Sequence, residues 1–251
     1  MTLAPVSDPA TRRRAVYDLA AAVPALGLAA GGTWWVLDLP ATFLAIVAIL
    51  YAALAVLLLF ALPPELPGPG LGPANRITLL RALFVITLAA LPLSTSALGI
   101  DGRWWVVVVG TVVMVMDGFD GWVARRTKTE TGFGARFDME TDALLMLVLS
   151  GLVWVEERAG AWVLLIGAMR YLFVGVSSVV PALRAPLFPS LRRKGVCVVQ
   201  AAGLLICLGP IIPADMALAV AIVALASLVW SFGVDTVWLL RQRPAASTSG
   251  P

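Results

Sequence analysis

Four aspartates stand out by type and spacing: Asp117 and Asp120, then Asp138 and Asp142. On a helix, a turn of about 100° per residue puts Asp120 about 60° from Asp117, with Gly121 and Ala124 in the same arc. Asp138 and Asp142, four residues apart, also share a helix face. Four carboxylates brought together repel strongly unless cations lie between them. A ligand set made only of oxygens, in a chain with no histidine, selects hard cations, Mg²⁺ or Mn²⁺. Gly121 and Ala124 leave room beside the carboxylates for a bulky ligand, and Arg125 offers a partner for a phosphate. Capping a helix needs one aspartate, not two spaced pairs, so a purely structural role explains the pattern less well.

The elements that must position these residues are membrane helices. The chain has 251 residues, 60% of them hydrophobic and 13% charged, with a mean hydropathy of +0.94. A soluble domain is nearer half apolar and a quarter charged, so a water-soluble globule is excluded. The lack of histidine also removes Ser-His-Asp and Cys-His catalysis and His-bound zinc. Cys197 and Cys207 fit no disulfide framework and read as small buried hydrophobes.

Apolar runs set against turn residues predict about eight spans, near 16–37, 42–62, 77–95, 104–124, 138–155, 161–182, 196–212 and 216–240. Asp117 and Asp120 then end the fourth span, and Asp138 and Asp142 open the fifth. A carboxylate at membrane depth is costly unless paired, hydrated or bound to metal, which marks all four as functional candidates. The stretch Pro63–Pro73 is too rich in Pro and Gly for a helix and separates two leading helices from the other six. Arg12, Arg13 and Arg14 before an apolar run imitate a signal peptide. The run is long, contains Asp18 and Pro24, and is followed at once by another span, so it reads as a retained helix. The tail after Arg243 reads as disordered.

With the N-terminus inside, fifteen of the 18 Lys and Arg residues fall on cytoplasmic segments. Arg103 and Arg158 fall outside, and Arg170 within a span. This bias predicts an N-in, C-in topology with the aspartates at the cytoplasmic face. The net charge of +3 is then a signal of orientation and of anionic lipid, and no nucleic-acid partner is expected.

The segment Asp117-Gly-Phe-Asp120-Gly121-Trp-Val-Ala124-Arg125, with Gly134, Asp138 and Asp142 following, resembles the CDP-alcohol phosphotransferase signature D-x2-D-G-x2-A-R-x8-G-x3-D-x3-D at every fixed position. Asn75, Thr78 and Arg81 resemble the N-x-x-T-x-x-R stretch opening that family's first core helix. Arg170 is similar to an arginine of its fourth core helix, and Lys194 with Gln200 to a K-x5-Q stretch opening the fifth. The likeness covers about residues 70–240.

The resemblance implies an all-α integral membrane fold, a six-helix core with two extra N-terminal helices. It divides the chain into 1–69 (tail, two extra helices, linker), a catalytic core at 70–243 and a disordered tail at 244–251. It implies transfer of a substituted phosphoryl group, commonly phosphatidyl, from a CDP-linked lipid to an alcohol acceptor in phospholipid biosynthesis, with release of CMP. By that likeness Asp117, Asp120 and Asp138 bind two divalent ions, Mg²⁺ or Mn²⁺. Asp142 is the general base and also touches a metal. Asn75, Thr78, Gly121, Arg125, Thr131 and Gly134 line the CDP pocket, and Arg170 and Lys194 face the acceptor. A homodimer is implied as well.

Two departures leave the acceptor open. Many members that use glycerol phosphate or inositol phosphate have a lysine after the last aspartate, where this chain has Ala143. Val196 and Cys197 replace the basic-threonine pair often found before the glutamine. Glu140 falls on the far side of the helix from Asp138 and Asp142 and reads as a structural partner. Arg170 binds an anionic acceptor or pairs a buried aspartate. Two rival functions are a membrane prenyltransferase, which as a family carries two Asp-rich motifs, and a divalent-cation transporter. This chain has a single acidic constellation and no visible inverted repeat.

Overall fold

The structure is a computed structural model. It describes residues 8–64, 66, 70–95, 97–127, 131–180 and 190–241; at 120–125, 127, 191 and 194 the backbone alone is described. The described residues form eight α-helices and no strand: α1 (Pro9–Val36), α2 (Thr42–Ala61), α3 (Pro73–Ser94), α4 (Gly99–Thr127), α5 (Gly132–Val155), α6 (Leu164–Val179), α7 (Leu191–Leu208) and α8 (Ala214–Arg241). A 3₁₀ turn, Ala161–Val163, leads into α6. The 244–251 tail lies outside the described residues.

Every expected span coincides with a helix, and the boundaries differ in an informative way. Helix α3 starts at Pro73 and not 77, α5 at Gly132 and not 138, α7 at Leu191 and not 196. Hydropathy finds the apolar part of a helix, whereas backbone hydrogen bonding continues through polar turns. Asn75, Gly134, Arg192 and Arg193 all sit in these extensions. At the other limit, α7 stops at Leu208 and not 212, because Gly209 and Pro210 begin a turn.

Among the described residues, six segments are long and apolar enough to cross a membrane: α1, α2, α3, α4 up to Phe119, the 161–179 segment and α8. Helix α5 carries Asp138, Glu140 and Asp142 inside its apolar stretch, and the apolar part of α7 is the shorter Gly195–Leu208. The core is built on α3 and α5. Leu83, Leu88 and Leu91 of α3, Leu149 and Leu152 of α5, and Leu204 and Leu208 of α7 are fully buried. In lipid, such contacts stabilise through close packing and not through exclusion of water. Helices α5 and α6 approach so closely that a Cβ on Gly167 would fall 2.3 Å from the Leu147 Cα. Helices α1 and α2 both pack on α3, so the linker divides the chain without dividing the packing.

The joints gather at two opposite ends. At one end, Leu98 N–H donates to Glu156 Oε1 at 2.7 Å. There too, Arg158 donates to the carbonyl of Cys207 at 3.0 Å and to that of Ile212. At the other end lie the start of α1, the end of α4 and the starts of α3 and α5.

Candidate metal and nucleotide site

The last turns of α4 and the first turns of α5 deliver the aspartates, and α3 faces them with an arginine. Single carboxylate oxygens of Asp117, Asp138 and Asp142 all lie within 4.8 Å of one another. Arg81 is fully buried and reaches all three: Nη2 to Asp117 Oδ1 at 2.8 Å, Nη1 to Asp138 Oδ1 at 2.6 Å, and Nη2 to Asp142 Oδ1. A guanidinium presents several donors in a planar fork, so one side chain can serve several carboxylates.

These contacts leave three carboxylates against one guanidinium, an excess of two negative charges. Each carboxylate has a second oxygen, and the three aspartate side chains are 39–48% exposed, so water and ions reach them from the open side. An oxygen-only donor set of this kind fits a hard divalent cation. Asp120, Gly121 and Arg125 lie on the same final turns of α4, but their side chains are outside the described residues.

A second group adjoins the cluster. Thr131, extended at φ −131°, caps α5 by accepting from Gly134 N–H at 2.9 Å. Asn75, 7% exposed, donates through Nδ2 to the Leu71 carbonyl at 2.7 Å. A Cβ on Gly134 would lie 2.4 Å from Asn75 Oδ1, so glycine leaves the room that this amide occupies. Asn75, Thr131 and Gly134, distant in sequence, are thus brought together. Thr78 is buried one turn further along α3 and donates to the Ala74 carbonyl at 3.3 Å.

Arg170 joins none of the described aspartate side chains. Its Nη2 lies 2.5 Å from Glu140 Oε1, and its Nη1 donates to Met139 Sδ at 2.7 Å. Of the two readings of Arg170, an anionic acceptor or a buried aspartate, the structure shows neither: α6 meets α5 at Met139 and Glu140, and the pairing is with that glutamate. Glu140 takes the structural role its position implied. Lys194 lies on α7 with its side chain outside the described residues. Arg192 of the same turn is held by α8, at 2.5 Å from Asp235 and 5.5 Å over the Trp230 ring.

Cys197, expected to be buried, is exposed, while Cys207 is buried as expected. Helix α7 buries the stripe Gln200, Leu204, Cys207 and Leu208. Cys197 lies beyond that stripe. The residue that sequence reasoning did not place in the site is Arg81. Its signal was available: a lone arginine among Leu79, Ala82, Leu83 and Val85 on a core-forming helix.

Comparison with known families identifies CDP-alcohol phosphatidyltransferase over residues 71–232. Comparison with curated proteins and with solved structures finds no match.

Proposed function

Because the chain belongs to the CDP-alcohol phosphatidyltransferase family, whose members transfer a phosphatidyl group in lipid synthesis, we propose that it moves a phosphatidyl group from a CDP-linked lipid to a small alcohol and releases CMP. The observation that carries this reading is the convergence of Asp117, Asp138 and Asp142 within 4.8 Å at the adjoining ends of α4 and α5.

Asp117, Asp120 and Asp138 are assigned as the ligands of two divalent ions, with Asp142 at their edge. When bound there, Mg²⁺ or Mn²⁺ would offset the charge of the donor's diphosphate and so favour CMP as leaving group. Asp142 accepts the proton of the attacking hydroxyl as the acceptor oxygen bonds to the phosphatidyl phosphorus and the bond to CMP breaks. Asn75, Thr78, Gly121, Arg125, Thr131 and Gly134 are assigned to the CDP end of the donor. The contact of Asn75 with Gly134 beside the cluster supports that grouping. Arg170 and Lys194 are assigned to the acceptor side, Arg170 exchanging Glu140 for an anionic acceptor. A homodimer, eight spans, and a cytoplasmic active site with both termini inside complete the proposal, the last supported by the charge bias of the loops.

The test is release of CMP from CDP-diacylglycerol by the purified protein with Mg²⁺ or Mn²⁺. The acceptors are glycerol 3-phosphate, inositol phosphate, inositol, serine and choline, each in turn. Metal-dependent CMP release with one of them is expected. Failure with all five, in protein shown to bind the donor, would overturn the acceptor class.

A further inference from the structure

Helices α1 and α2 precede the family-matched residues 71–232, yet polar bonds fasten them to the donor end of the site. Asp18, on α1, is 12% exposed. Its Oδ2 accepts from Leu71 N–H at 2.6 Å, and its Oδ1 accepts from Arg76 Nε at 3.0 Å, with Arg76 Nη2 at 2.9 Å. Gly70 makes room for this carboxylate. Its φ is +74°, and a Cβ there would stand 2.1 Å from Asp18 Oδ2.

The contact does not end at Leu71. The Leu71 carbonyl accepts from Asn75 Nδ2, and Asn75 Oδ1 abuts Gly134, whose N–H is held by Thr131. Hydrogen bonds therefore run from α1 through the turn before α3 to Asn75, and the close approach of Asn75 Oδ1 to Gly134 carries the contact on to the cap of α5. The hairpin is also fixed from behind. Tyr51 on α2 donates to the Leu19 carbonyl at 2.6 Å, and Trp105 on α4 donates to Thr33 Oγ1 at 3.1 Å. A carboxylate inside an apolar helix is costly. One that holds both a backbone N–H and a guanidinium fixes the direction of that backbone.

We propose that the α1–α2 hairpin is a working part of the donor site, with Asp18 as a positioning residue. It sets the Gly70–Gly72 turn and, through Leu71, the side chain of Asn75 against Gly134. The proposal rests on the transferase reading, which makes Asn75 and Gly134 donor residues.

The experiment uses the full chain in detergent. It measures affinity for CDP in the presence of Mn²⁺, affinity for Mn²⁺ alone, and thermal stability. Asp18→Ala should weaken CDP binding roughly tenfold, as expected for losing charge-assisted hydrogen bonds at one remove, and leave Mn²⁺ binding unchanged. Asp18→Asn, which keeps an acceptor for Leu71 N–H, should fall between Asp18→Ala and the parent. Arg76→Ala removes the half-exposed partner and should cost about two- to fivefold. It decides the matter if Asp18→Ala does not fold. CDP binding unchanged in Asp18→Asn and Arg76→Ala, or CDP and Mn²⁺ affinities falling together, would overturn the positioning role. If the parent protein itself does not bind CDP with Mn²⁺, the transferase reading falls and the positioning role with it.

Discussion

An arginine with no exposed surface, gripped by three carboxylates, is a counter-ion before it is anything else. Without it, Asp117, Asp138 and Asp142 would confront one another with no fixed positive charge among these contacts. Replacing Arg81 by Gln should destabilise the protein by about 2 kcal/mol in divalent-free buffer. That is below the usual cost of breaking a buried pair, because the aspartates are partly exposed and screened. Thermal melts should show Mn²⁺ restoring more stability to the variant than it adds to the parent, since ions then supply the missing charge. Equal gains in both would refute the shared-charge account. For Asp142, replacement by Asn should abolish CMP release while metal-dependent donor binding persists. Turnover at the parent's rate would remove it as general base. These four aspartates were legible because the chain is so apolar that acidic pairs at fixed spacing have no other context. Arg81 was harder to place, because sequence gives the arginine and its helix but not the two helices it will face.

At the scale of elements, the first turn of α5 carries more function than its length suggests. Thr131 caps it, Gly134 admits Asn75 from α3, and the next two turns present Asp138 and Asp142. Gly134→Ala should push Asn75 Oδ1 aside. A drop in CDP affinity of roughly tenfold is expected, with little change in the melting temperature, because the cap bond from Thr131 is kept. A titration showing parent-like CDP affinity would mean that the two starts of α3 and α5 can separate at no cost to the site. Hydropathy located all eight helices. It placed the starts of α3, α5 and α7 several residues late, because polar turns at a membrane surface look like loop to any scale that counts apolar residues. The bond between Asp18 and the turn before α3 had no sequence signal, since 53 residues separate Asp18 from Leu71 and no period links them.

For the whole molecule, two sets of joints at opposite ends give the orientation a direct check. Pro64 lies at the end that carries Asp18 and the start of α3, where the Asp8 N–H donates to its carbonyl at 3.1 Å. Ile211, 76% exposed, lies at the other end with Arg158 and Glu156. In a background with Cys197 and Cys207 changed to Ser, Pro64→Cys should react with an impermeant maleimide only from the cytoplasmic side. Ile211→Cys should react only from the opposite side. Labelling of both from one side would break the antiparallel arrangement on which the proposed topology stands. The partition of basic residues is what supports the proposed topology, because charge placement follows the membrane and not the fold.

The aspartates lie on the last turns of α4 and the first turns of α5, toward the end of the bundle where α4 stops and α5 starts. If the chain acts on a CDP-linked lipid as proposed, that end would stand at head-group level. The phosphorus to be attacked then reaches the carboxylates while the acyl chains stay in their leaflet, and no tunnel for hydrocarbon is required. Encounter becomes a search in two dimensions. The quantity that governs it is the mole fraction of donor in the surface around the protein, and adding inert lipid or detergent slows the reaction even when the bulk concentration of donor is unchanged.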